Sequence, residues 1–118
     1  MSYYETHIGK IRKVDLGNLT LEDYCEQRVK DMKLEFNPSY HNSYKDVLLE
    51  LYPTKFIEND GELWEILDDT NLEDDSDINF FKRSGNEYDY VMRYYNGGTY
   101  LGELLTEEIN KLKKKNDR

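Results

Sequence analysis

The chain has 118 residues and carries 16 Lys and Arg against 25 Asp and Glu, a formal charge of -9. That length fits one domain, and no stretch approaches the roughly 20 apolar residues of a membrane-spanning helix. The single cysteine, Cys25, excludes a disulfide scaffold; the acidity disfavours nucleic acid as a direct ligand; Tyr 11, Phe 4 and Trp 1 are too many aromatics for a wholly disordered chain.

The opening MSYYETHIGK has no apolar run, so no secretory signal is expected and the cytoplasm is the expected compartment. Within the N-terminal segment 1–18, residues 7–16 alternate Ile8, Ile11, Val14 and Leu16 with bases and read as a short strand. Helix signals follow. Thr20 is placed to cap, with Asp23 at the third helical position. Leu21, Tyr24, Cys25, Val29 and Met32 recur at helical spacing, and the helix is expected to end near Phe36, before Asn37-Pro38. Ser43 caps a shorter helix with Tyr44, Val47, Leu48 and Leu51 as its apolar stripe, stopped by Pro53.

The period then becomes strand-like. Lys55–Glu58 and Glu62–Leu67 flank Asn59-Asp60-Gly61, a hairpin signal, and Ile78–Arg83 and Glu87–Tyr95 flank Ser84-Gly85-Asn86, a second one. In the last strand Tyr88, Tyr90, Met92 and Tyr94 fall on one side, and Asp89, Val91, Arg93 and Tyr95 on the other. Asn96-Gly97-Gly98 ends that strand, and Thr99 caps a helix with Leu101, Leu104, Leu105, Ile109 and Leu112 on one face. Its Lys-rich end suits the negative pole of a helix. The expected fold is a single α+β domain over residues 1–118. It has two N-terminal helices, an antiparallel meander of about four strands in two hairpins, and a C-terminal amphipathic helix. An acidic loop spans 68–77 and a basic tail spans 113–118.

The acidity is segregated along the chain. Residues 50–90 hold 13 acids against three bases, Lys55, Lys82 and Arg83, a net -10, while the remainder nets +1. The densest part, DDTNLEDDSD from Asp68 to Asp77, has six acids in ten residues. Taken with its acid-rich flanks, it reads as one acidic surface for a basic partner; a solvated connection accounts for the run as well. Asp75-x-Asp77-x-Asn79 has the opening spacing of a calcium loop, but Phe80 stands where glycine belongs and Asn86 where glutamate does. Cys25 falls on the apolar stripe of the first helix, so a Cys25–His41 nucleophilic pair gives way to a buried, inert thiol. The two histidines and one cysteine are too few for a zinc site. Asn96-Gly97-Gly98-Thr99 matches no phosphate-binding loop and needs only a sharp strand-to-helix turn. Exposed tyrosines, by contrast, suit a protein interface.

The stretch YVMRYYNGGTYLGELL, Tyr90 to Leu105, in a chain without alanine and rich in Asn, Lys, Tyr and Ile, resembles small acidic proteins of phages and mobile elements from AT-rich Gram-positive bacteria. The resemblance implies no particular activity. By profile, it points toward inhibitors of host defence, including anti-CRISPR proteins and DNA mimics. The expectation is a non-enzymatic protein-binding module without metal or cofactor, docking on a basic nucleic-acid-handling protein. Its contact residues are Asp68, Asp69, Glu73, Asp74, Asp75, Asp77, Tyr88, Tyr90 and Tyr94. An immunity or antitoxin protein neutralising a basic toxin would use the same surface. A metal-dependent enzyme built on Asp68 or Asp77 is the third reading, and it lacks nearby bases to hold substrate. The oligomeric state is left open, since an exposed edge strand also suits a homodimer.

Overall fold

The computed structural model describes residues 4–52, 54–72, 79–95 and 101–116. Among them are β1 (Tyr4–Lys13), α1 (Leu21–Asp31), α2 (Tyr44–Leu49), β2 (Phe56–Asn59), β3 (Glu62–Leu72), β4 (Phe80–Ser84), β5 (Glu87–Tyr95) and α3 (Leu101–Asn116). The five strands form one antiparallel sheet in the order β2-β3-β1-β5-β4, an α+β fold. None of the described helices is long and apolar enough to cross a membrane.

Both hairpins form as their turn residues dictate. β2 and β3 are joined by Asp60-Gly61, both at positive φ (52° and 79°), the type I′ geometry that matches strand twist. β4 and β5 are joined by Gly85-Asn86, with only Gly85 at positive φ, the type II′ geometry. The expected meander is corrected: β1, the first strand in the sequence, separates the hairpins. β1 also begins three residues before the expected start, at Tyr4, because pairing with β5 holds it, Tyr4 opposite Tyr95 and Ile11 opposite Tyr88. β3 runs to Leu72, where a loop from Asp68 was expected. Its polar end lies beside β1, and ladder partners from a distant part of the chain hold residues whose composition alone reads as loop.

The residues divide into two compact units, 13–65 and, together, 1–12 with 66–118. In the first, Val14, Cys25, Val29, Val47, Leu48, Phe56 and Leu63 form the core, flanked by Tyr24, Met32, Phe36 and Tyr44. Thr20 caps α1 as expected, its Oγ1 accepting the Asp23 N–H at 3.1 Å. Ser43 does the same for α2 toward Asp46, and the Asp46 carboxylate accepts the Asn42 N–H in return. The expected end of α1 near Phe36 is corrected to Asp31. Lys33 takes a left-handed φ of 56°, so the Leu34 N–H reaches the Val29 carbonyl and the Lys33 N–H that of Lys30. That closure is a Schellman motif with lysine in the glycine position.

In the second unit Thr6, Ile11, Ile66, Tyr90, Val91, Met92, Leu101, Leu105 and Ile109 are buried, and α3 contacts β5. Leu101, Leu105 and Ile109 belong to the stripe the periodicity predicts. The expected cap Thr99, the Asn96-Gly97-Gly98 turn and Pro53 lie outside the described residues.

Candidate functional site

Several acids of the middle segment are paired with bases of their own unit. Within residues 13–65, Lys13 meets Glu62 at 2.6 Å, Lys45 meets Glu58 at 3.4 Å, and His41 meets Glu50 at 2.5 Å. The nearly buried Glu65 takes two bonds from the Arg28 guanidinium, at 3.1 and 2.8 Å, with Lys55 at 3.3 Å. Burial pushes the Glu65 carboxyl up, and Arg28 and Lys55 outweigh it, so its pKa falls below the usual range. In the other unit Lys10 lies 3.8 Å from Glu87 and 3.7 Å from Asp89. Lys10, Lys13, Arg28 and Lys45 all come from outside residues 50–90, so tertiary pairing undoes much of the segregation seen along the chain.

Asp68 stands apart. It is exposed near the end of β3, and no ion pair reaches its carboxylate among the described residues. It lines an open groove of about 430 Å³ with Ile8, Gly9, Lys10, Phe80, Lys82, Asp89 and Tyr90. Its neighbour Asp69 is tied inward. One Asp69 oxygen accepts the Tyr90 hydroxyl at 2.5 Å and the other meets His7 Nδ1 at 2.7 Å. His7 Nε2 is 3.2 Å from the Tyr94 hydroxyl, which donates to Glu5 at 2.8 Å. The His7 and Tyr94 rings stack with centroids 5.6 Å apart.

This network follows from strand parity. Glu5, His7 and Gly9 share a face of β1, opposite Tyr94, Met92 and Tyr90 of β5. The hydrogen bond to Asp69 raises the His7 pKa; burial opposes it only in part, and Glu5 adds to the rise. Burial, then Asp69, pushes the Tyr90 phenol far up, and burial, then Glu5, does the same for Tyr94. Both phenols therefore stay protonated as donors. With both imidazole nitrogens engaged, the cluster ties β1, β3 and β5 together and offers no free base.

The expected contact residues thus part company. Tyr88, Tyr90 and Tyr94 share one side of β5 as the alternation predicts. Yet Tyr90 is fully buried, Tyr94 is bonded to Glu5, and Tyr88 stacks on Phe81 at 4.9 Å. Glu73, Asp74, Asp75 and Asp77 lie outside the described residues. Sequence reasoning missed Glu5, His7 and the groove residues Ile8 and Phe80. The alternation of Glu5, His7 and Gly9 was present in the sequence, but its partner strand was not identifiable from local spacing.

The remaining candidates are structural in their geometry. Cys25 is fully buried, and burial with nearby Glu22 pushes its thiol up to about 11, so it is not a thiolate. His41 Nδ1 accepts the Asn37 N–H at 3.0 Å while Nε2 donates to Glu50, which uses both nitrogens to brace the loop before α2. No hydrogen bond joins Cys25 to His41 among the described residues. Asn79, from the calcium-like spacing, accepts the Arg93 N–H at 2.6 Å through its side-chain oxygen. Among the described residues no group of three or more His, Cys, Asp or Glu is arranged to hold a metal. No protein-family model matches the chain, nor does any curated protein or solved structure.

Proposed function

We propose that the chain is a small acidic docking module that binds a basic surface on a nucleic-acid-handling protein and blocks it, an inhibitor of the anti-defence or DNA-mimic kind. The observation that carries this reading is the distribution of ion pairs. Glu58, Glu62 and Glu65 are each matched by a Lys or Arg of the same unit, and Glu87 and Asp89 share Lys10. The run that begins at the unmatched Asp68 continues in the sequence with Glu73, Asp74, Asp75 and Asp77, so the excess negative charge concentrates there. Carboxylates in such a run stand in for phosphates at a Lys/Arg-lined groove and steer the encounter. The same charge would serve an immunity protein against a basic toxin.

The test is capture from a lysate of an AT-rich Gram-positive bacterium, read by mass spectrometry. Wild type is compared with a variant neutralised at Asp68, Glu73, Asp74, Asp75 and Asp77 by Asn and Gln. Asp69 is kept, because it holds His7 and Tyr90. The expected result is a basic nucleic-acid-binding protein held by wild type, lost from the variant, and released steeply between low salt and about 0.5 M, where the Debye length falls to a few ångströms. A basic toxin as the captured partner moves the reading to an immunity protein. No partner, or one held equally by both proteins, overturns acidic docking.

A further inference from the structure

The groove on the other face of the sheet from the His7 network has a composition that no bound carboxylate or phosphate explains. β1, β5 and β4 run side by side there, with Ile8 opposite Val91 and Val91 opposite Phe80, an apolar row across three strands. Ile8 and Phe80 remain 42% and 43% exposed. The next row is Lys10, Asp89 and Lys82. Lys10 is shared between Asp89 at 3.7 Å and Glu87 at 3.8 Å, both on this face of β5. Asp68 on β3 and Lys82 on β4 have no ion-pair partner among the described residues.

Those two side chains are of opposite sign and lie at opposite margins of the groove. In the order β3-β1-β5-β4 they are three strand spacings apart, about 14 Å, too far to pair within one chain. A purely acidic partner would meet Asp68 and Asp89, and a purely basic one Lys10 and Lys82. A surface with one free charge of each sign at its two margins and an apolar strip between them is complementary to itself. A two-fold axis running along the strands, between β1 and β5, exchanges the positions of β3 and β4 and turns this face onto its own copy.

We propose that the groove seats a second copy of this chain, in a two-fold dimer in which Ile8 and Phe80 bury each other's exposed faces and Asp68 of each protomer pairs with Lys82 of the partner subunit. Face-to-face association also agrees with the edge strand β4, where Lys82 and Arg83 would repel their counterparts in edge-to-edge pairing. A patch of two exposed apolar side chains and two rim ion pairs lies at the small end of specific interfaces, so the dimer is expected to associate in the micromolar range.

Sedimentation equilibrium of the purified chain, from about 1 to 500 μM, reads the association directly. Wild type is expected to pass from the 14.2 kDa monomer to twice that mass. Asp68→Lys and Lys82→Glu are each expected to weaken association at least ten-fold, since each places like charges together across the axis. The double swap Asp68→Lys/Lys82→Glu restores the pairing with its direction reversed and is expected to return the constant to within about three-fold of wild type. Circular dichroism should show all three variants folded, because both side chains are exposed. A wild type that stays monomeric throughout overturns the proposal. So does a dimer indifferent to the single swaps, or a double swap that leaves association weak. None of these measurements involves a host partner, so failure of the dimer leaves acidic docking standing; a dimer takes up Asp68, and docking then rests on Glu73, Asp74, Asp75 and Asp77.

Discussion

Gly9 shows how much one residue can depend on a distant one. It lies opposite Tyr90 in the β1–β5 register, and a Cβ there would overlap both the Tyr90 hydroxyl and the Asp68 carbonyl oxygen. The missing side chain lets the Tyr90 ring lie over β1 and deliver its hydroxyl to Asp69. Gly9→Ala is therefore expected to destabilise the fold by about 2–3 kcal/mol, through overpacking of a backbone that has little freedom to shift. Urea unfolding measures it, and a loss below about 0.5 kcal/mol would mean that the ring has room to move. In the sequence Gly9 is one small residue in a strand-like stretch, since nothing within ten positions names Tyr90 as its neighbour.

The starts of α1 and α2 were legible and the end of α1 was not, for a reason visible in the chemistry. A cap is a local device: Thr20 and Ser43 each reach a backbone N–H three residues on, and spacing alone reveals them. The stop at Asp31 uses Lys33 in a left-handed conformation with none of the usual glycine signal, so apolar residues as far as Phe36 read as more helix. Phe36 instead turns back to stack against Tyr44 at 4.6 Å. A side chain in this conformation costs about 1 kcal/mol relative to glycine, and the Lys33 side chain is exposed. Lys33→Gly is accordingly expected to raise stability by about 0.5–1 kcal/mol, an increase in the urea midpoint with an unchanged slope. No gain, or a loss, would show that the flexibility glycine adds to the unfolded chain offsets the relieved strain.

At the scale of the whole molecule the charges set a pH window. His7 has a folded pKa above its ordinary 6.5, so its contribution is complete below about pH 6.5 and is lost as the pH rises through the folded value. Glu65 behaves in the opposite sense: its folded pKa is depressed, so its contribution holds above the ordinary 4.5 and is lost as the pH falls through the folded value. Stability should thus be greatest between these limits and decline above about pH 6.5. Replacing His7 by Gln should flatten the alkaline decline, and the His7 ring protons should titrate above 6.5 by NMR. A His7 that titrates at or below 6.5 would remove the charged link to Asp69 and Glu5. The sequence by itself determined what short-range chemistry decides. Turn residues set both hairpins, side-chain caps started α1 and α2, and 3.6-residue spacing placed Leu101, Leu105 and Ile109 on one buried face of α3. Tertiary structure alone decided how the two hairpins are ordered around the first strand. It thereby moved β1 between the hairpins, extended β3 through Asp68 and Asp69, and matched acids of the middle segment with bases from the rest of the chain. Those outcomes depend on pairings between residues up to 91 positions apart, such as Tyr4 with Tyr95, and periodicity carries no information over that distance.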